Sequence, residues 1–174
     1  MTQTRAGQIC SLWLMPTGDV YDELERILHK LSAKYGTREF PPHVTLLGGI
    51  VGPRREVLRE CASLAALIRP FTIRLEKIDY LDEYFRCLFV RAATTAPLLK
   101  AHQVARDVFG RRREPSFMPH LSLLYGDFSR SLKEGAAAEL GPRLDLAFKV
   151  RSLVLHSTRG EPRDWRRVAK FGLH

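Results

Sequence analysis

Two hydrophobic periods run along this chain, and together they predict its elements. Residues 8–15 (QICSLWLM) form a short apolar run of strand formers that Pro16 stops. Leu24, Ile27, Leu28 and Leu31 then recur at helical spacing, which predicts a helix over about 20–35 with Asp19 as its cap and Gly36 as its stop. A strand is expected from His43 to Leu47, ended by Gly48 and Gly49. Val57, Leu58, Cys61, Leu64, Ala65 and Ile68 mark one side of a second helix over 54–69, and Pro70 bounds it. "FTIRLEKIDYL" (71–81) alternates as a half-buried strand should. After an acidic turn at Asp82–Glu83, "FRCLFVRA" (85–92) reads as another strand.

The second half continues in the same way. A helix over 96–109 is followed by the charged loop "GRRREPS", a strand around His120, and a helix over 129–140 closed by Gly141-Pro142. "LDLAFKVRSLVLHS" (144–157) alternates, and a last short strand at 165–171 holds Trp165, Val168 and Phe171. Strands and helices thus interleave twice, which predicts an α+β protein of two pseudo-symmetric sheet-and-helix lobes.

The pseudo-symmetry rests on a repeated phrase. Pro42-His43-Val44-Thr45-Leu46-Leu47-Gly48-Gly49 lies over Pro119-His120-Leu121-Ser122-Leu123-Leu124-Tyr125-Gly126, with five of the eight positions identical. Successive side chains of a strand point to opposite faces. His43 and Thr45 therefore share one face and Val44 and Leu46 the other; His120 and Ser122 are set against Leu121 and Leu123 in the same way. Each copy has an apolar back and a front of imidazole plus hydroxyl. Strands laid side by side would bring the two fronts into one cleft.

Composition adds bounds. The 174 residues are 45% hydrophobic and 27% charged, enough for a sizeable core in one domain or two small lobes. No stretch approaches the roughly 18 apolar residues that span a bilayer, and no signal peptide is read, so a cytoplasmic protein is expected. Cys10, Cys61 and Cys87 are scattered without a CxxC pair, and Cys10 and Cys87 sit in apolar runs as small core residues. A net charge of +9 favours phosphorylated ligands and nucleic acid alike.

Two imidazoles and two hydroxyls facing each other suit phosphate ester chemistry. Histidine, with an ordinary pKa near 6.5, keeps a neutral and a protonated form available at neutral pH. One ring can take a proton from water and the other give one to the departing oxygen. The hydroxyls of Thr45 and Ser122 can hold the non-bridging phosphate oxygens. His-x-Thr offers one metal ligand per strand, and no carboxylate or cysteine spacing completes a set, so neither metal nor cofactor is expected.

The two H-x-[TS] phrases resemble the signature of the 2H phosphoesterase superfamily. With "SLWLMP" near the start, "FPPHVTL", "FMPHLSLLY" and the tail "DWRRVAKFGL", most of the chain is similar to the plant and yeast cyclic phosphodiesterases. The resemblance implies a bilobal α+β fold, two antiparallel sheets with flanking helices around a central cleft. It implies opening of 2′,3′-cyclic nucleotides to 2′-phosphates, and of ADP-ribose 1″,2″-cyclic phosphate, a by-product of tRNA splicing, to ADP-ribose 1″-phosphate. His43 and His120 become catalytic, one as base and the other as acid in an order the sequence leaves open, with His120 taken here as the base, and Thr45 and Ser122 bind the phosphate. Tyr125 matches a tyrosine that contacts the cyclic phosphate, and Trp13 an aromatic close to the cleft.

Read on their own residues, these positions leave alternatives. Tyr125 falls one place past the alternating run, so either face is open to it. Trp13 suits core packing or adenine stacking, and Phe85 suits a lid that stacks on a base. Arg111–Arg113 are solvated or contact a pyrophosphate or an RNA backbone, while Trp165 is read as a packing anchor. His29, His102, His156 and His174 lack a partnered hydroxyl and receive no role. The chain departs from the plant enzymes in lacking their pairing cysteines, and its loops are more basic. A monomer acting on a small cyclic phosphate nucleotide, or on an RNA 2′,3′-cyclic end or 2′–5′ linkage, is expected; a nucleotide-binding module without turnover is the non-enzymatic alternative.

Overall fold

The computed structural model describes residues 8–111, 113 and 116–174. Its strands are β1 (Gln8–Leu14), β2 (Val44–Gly52), β3 (Phe71–Asp79), β4 (Leu88–Ala92), β5 (His120–Leu124), β6 (Ala147–Val150), β7 (Ser152–Ser157) and β8 (Arg166–Gly172). The helices are α1 (Asp19–Tyr35), α2 (Arg54–Leu67), α3 (Ala96–Val108) and α4 (Arg130–Leu140). The strands form one sheet in the order β6-β3-β4-β5-β2-β1-β7-β8. Every pairing is antiparallel.

That order is a palindrome about the seam between β5 and β2. Outward from it, β4-β3-β6 on one side answers β1-β7-β8 on the other. The two expected sheets are therefore present as four-stranded halves of one sheet. They join edge to edge through the pair Val44–Leu121, the third position of each repeated phrase. The helices cross that seam: α1, from one half, lies against β5, and α3, from the other, lies against β2. Beneath them Val44, Leu46, Leu121 and Leu123 are buried. Full burial of such a side chain is worth about 1.5–3 kcal/mol, so the apolar backs of the two phrases hold the halves together.

Local differences from the sequence reading have local causes. Gly18, rather than Asp19, occupies the cap position of α1. Asp19 and Asp22 instead sit in the first turn, where a carboxylate favours the positive end of the helix dipole. β2 does not end at Gly48 and Gly49 but runs on to Gly52. The two glycines stand opposite Ser11 alone, because Cys10 pairs with Ile50 and Leu12 with Leu47. They make a bulge, and Gly49 (φ +61°) supplies its left-handed residue. "FRCLFVRA" is a strand only from Leu88; Tyr84–Arg86 form a 3₁₀ turn.

The run 144–157 is two strands. β6 pairs with β3 in one half, and β7 lies between β1 and β8 in the other. Alternation hid the break because it holds along β6 and fails along β7, where Leu153, Val154, Leu155 and His156 are all buried. Trp165 precedes β8, at the end of a 3₁₀ turn over Pro162–Asp164. In the charged loop, Arg111 donates to the carbonyls of Gly48 and Gly49 (3.1 Å each), and Arg113 is exposed; Arg112, Glu114 and Pro115 lie outside the described residues. The three cysteines are free and buried. Among the described residues no helix is long and apolar enough to cross a membrane.

Candidate active site

At the seam, extending the Val44–Leu121 register by one residue each way sets His43 across from Ser122 and Thr45 across from His120. All four side chains then rise from one face, and each imidazole sits diagonal to the other. Diagonal neighbours in a regular antiparallel ladder are about 7–8 Å apart, room for a phosphorus centre between them. A cavity of about 410 Å³ lies over this face, lined by these four and by Trp13, Phe85 and Tyr125. These seven candidate residues thus border one space.

The two imidazoles are held alike. His43 Nδ1 bonds the Pro41 carbonyl at 2.7 Å, and His120 Nδ1 bonds the Met118 carbonyl at 2.8 Å. A carbonyl oxygen only accepts, so in each neutral ring Nδ1 carries the hydrogen and Nε2 keeps the lone pair. Both rings are thereby set in the same tautomer by the residue two positions before them.

Their proton affinities are low. Burial pushes His43 down to about 3; the Pro41 bond opposes the shift, and the imidazoles of His156 and His120 add to it. His120 is also lowered, first by burial and then by the Arg86 and Arg91 guanidiniums, against the Met118 bond and Glu83. In the unliganded cleft both rings are neutral at pH 7.

Trp13 is a wall of the cavity but not a free stacking surface. Its indole lies between His43 (centroids 3.6 Å apart, planes at 10°) and His156 (3.7 Å, 18°), and it is 1% exposed. A nucleobase has no face of it to stack on. Of the two alternatives, core packing and adenine stacking, the structure has the first, with the indole packed flat against the His43 imidazole. In the other half Phe89, across β4–β5 from Ser122, meets His120 edge to face at 5.1 Å.

Ser122 is already engaged. Its hydroxyl donates to the Phe85 carbonyl at 2.9 Å. With its one hydrogen so used, it donates to a phosphate oxygen only by turning away from that carbonyl. Tyr125 is buried and stacked on Phe40 (3.8 Å, 16°), and burial raises the pKa of its phenol.

Phe85 is 52% exposed at the cavity mouth. Trp165 faces it, tilted by 33° at 6.2 Å, and also meets Trp13 and Tyr125 edge to face. Trp165 is the packing anchor its sequence suggests, and it also lines the cavity. Ser11, Arg86 and Thr158 are lining residues that sequence reasoning missed. Only Ser11 carried a signal, since it shares a strand face with Trp13. Arg86 is paired with Glu83 in its own turn. Among the described residues no three His, Cys, Asp or Glu side chains gather into a set that could hold a metal ion.

Known proteins resemble this one along two thirds or more of its length. It is 25% identical over 173 residues to a cyclic phosphodiesterase of Arabidopsis thaliana, covering 95% of this chain and 96% of that protein. It is 29% identical over 133 residues to a 2′,3′-cyclic-nucleotide 3′-phosphodiesterase of Phaeosphaeria nodorum, covering 67% of this chain and 68% of the other. Its fold matches that of E. coli LigT complexed with 3′-AMP, with a TM-score of 0.68, 16% identity, and coverage of 96% of this chain and 98% of LigT. The family model of the 2′-5′ RNA ligase superfamily matches residues 19–162, which include both histidine phrases and the strands that carry them, and the chain belongs to that superfamily of 2H phosphoesterases.

Proposed function

We propose that the protein is a metal-independent cyclic phosphodiesterase. It opens 2′,3′-cyclic nucleotides to 2′-phosphates and ADP-ribose 1″,2″-cyclic phosphate to ADP-ribose 1″-phosphate. The observation that carries this reading is the pair of imidazoles bordering one cavity, each in the Nδ1–H tautomer and each beside a hydroxyl. The names of the Arabidopsis and Phaeosphaeria relatives support it.

In this scheme water attacks phosphorus and the P–O3′ bond breaks. His120 Nε2 takes the proton from water, and His43 gives one to the departing O3′. Thr45 and Ser122 hold the non-bridging oxygens. His43 is neutral in the empty cleft, so its acid role depends on the phosphate anion, which raises the ring's pKa on binding. Phe85, exposed at the mouth, stacks on the base. A preference for long RNA ends is less well supported, because Arg111 is tied to backbone carbonyls of β2.

The test is incubation with 2′,3′-cyclic AMP in EDTA, with the product identified by phosphorus NMR. The expected product is the 2′-monophosphate, and His43→Ala and His120→Ala should each lower kcat by about 10²–10⁴-fold. Binding without turnover would point to a nucleotide-binding module instead. Turnover confined to oligonucleotides would move the activity to RNA ends.

A further inference from the structure

His156 lies outside both repeated phrases, on β7, with Ser11 of β1 across from it on one side and Arg167 of β8 on the other. It is nonetheless 6% exposed and in flat contact with the far face of Trp13. The near face of that indole is in flat contact with His43. Three rings therefore form one stack, and only the first of them borders the cavity along with the indole between.

The Pro41 bond fixes where His43 Nδ1 lies, but one hydrogen bond leaves a ring free to pivot about it. The indole plane removes that pivot, provided that the indole itself is held from behind. Among the described residues none gives His120 such flat support; Phe89 meets it at 64°. We propose that His156 is a positioning residue for the phosphodiester reaction, closing the far face of Trp13 so that the indole fixes the plane of His43 and the direction of its Nε2.

The stack also keeps water from the back of His43. The groups that bear on that ring are His156 through the indole, His120 across the seam, and the Pro41 carbonyl. His156 is itself pushed down to about 4, by burial first and with Arg167 adding to it, so no positive charge stands in the stack at neutral pH.

The role rests on the proposed reaction, and two readouts separate them. His156→Ala should lower kcat on 2′,3′-cyclic AMP by about ten- to hundredfold, the scale of a misplaced catalytic group, while KM changes by less than about twofold. His156→Phe restores a flat ring and should recover most of the rate. An NMR titration of the His43 ring in the unliganded protein needs no turnover. The ring should move toward 6.5 by about one unit or more in the Ala variant and stay low in the Phe variant. If the Ala protein does not fold, His156→Leu, which fills the space without a flat ring, carries the same expectation for kcat. Full kcat with an unchanged His43 titration in the Ala protein, or full kcat in the Leu protein, would overturn the proposal. So would a Phe variant as impaired as the Ala variant.

Discussion

The two hydroxyls of the site are not equivalent, although the repeat makes them look so. Ser122 on β5 donates to the Phe85 carbonyl, whereas Thr45 belongs to β2. A hydrogen bond to a charged group is worth about 1.5–3 kcal/mol, so Thr45→Val and Ser122→Ala should each lower kcat/KM on a cyclic nucleotide by about ten- to hundredfold. Ser122→Ala should in addition raise KM more than Thr45→Val does, because it releases the turn that holds Phe85 over the mouth. Steady-state kinetics on the two variants decides this; equal KM effects would mean that the turn is held without Ser122.

At the scale of elements, the seam leaves β2 with backbone groups that β5 does not pair. Side chains of the second half take them. His102 on α3 donates from Nδ1 to the Leu46 carbonyl at 2.9 Å, and Arg111 reaches the Gly48 and Gly49 carbonyls. His102 also stacks on Phe117 (3.8 Å, planes at 5°), just before the strand that bears His120. One buried imidazole thus ties the β2 backbone to the approach of β5. His102→Leu keeps the bulk and leaves the Leu46 carbonyl unsatisfied, which costs about 1–3 kcal/mol. Urea denaturation should show a lower midpoint with an unchanged slope. A midpoint equal to that of the parent protein would show that water satisfies the carbonyl.

For the molecule as a whole, buried neutral histidines couple stability to pH. His43, His120 and His156 all take up protons less readily folded than unfolded. Their ordinary pKa is about 6.5, so below that pH the unfolded chain binds more protons, and stability falls as pH falls. The contribution is fully present above pH 6.5. It is lost progressively down to about 4 for His156 and about 3 for His43. Each such imidazole contributes a slope of about 1.4 kcal/mol per pH unit inside its window. Urea unfolding at pH 7.5, 6 and 5 should show the decline, and His43→Gln should flatten it. A pH-independent unfolding free energy over that range would mean that these rings charge freely in the folded state.

Periodicity, the repeat and the residue types determined much of this protein before any coordinates. They settled the helices, most strands, the α+β class, and the four side chains on two strand fronts, because helical and strand periods are local consequences of which positions meet the core. They also misled where local pattern and tertiary context part. Gly48-Gly49 reads as a stop and is a bulge; "LDLAFKVRSLVLHS" reads as one strand and is two. Only the tertiary structure decided that the halves join at Val44–Leu121, that α1 and α3 cross to the opposite half, and that His156, Trp165 and Arg86 belong around the site. Those facts depend on contacts between residues far apart in the chain, and such contacts leave no period in the sequence for a reader to find.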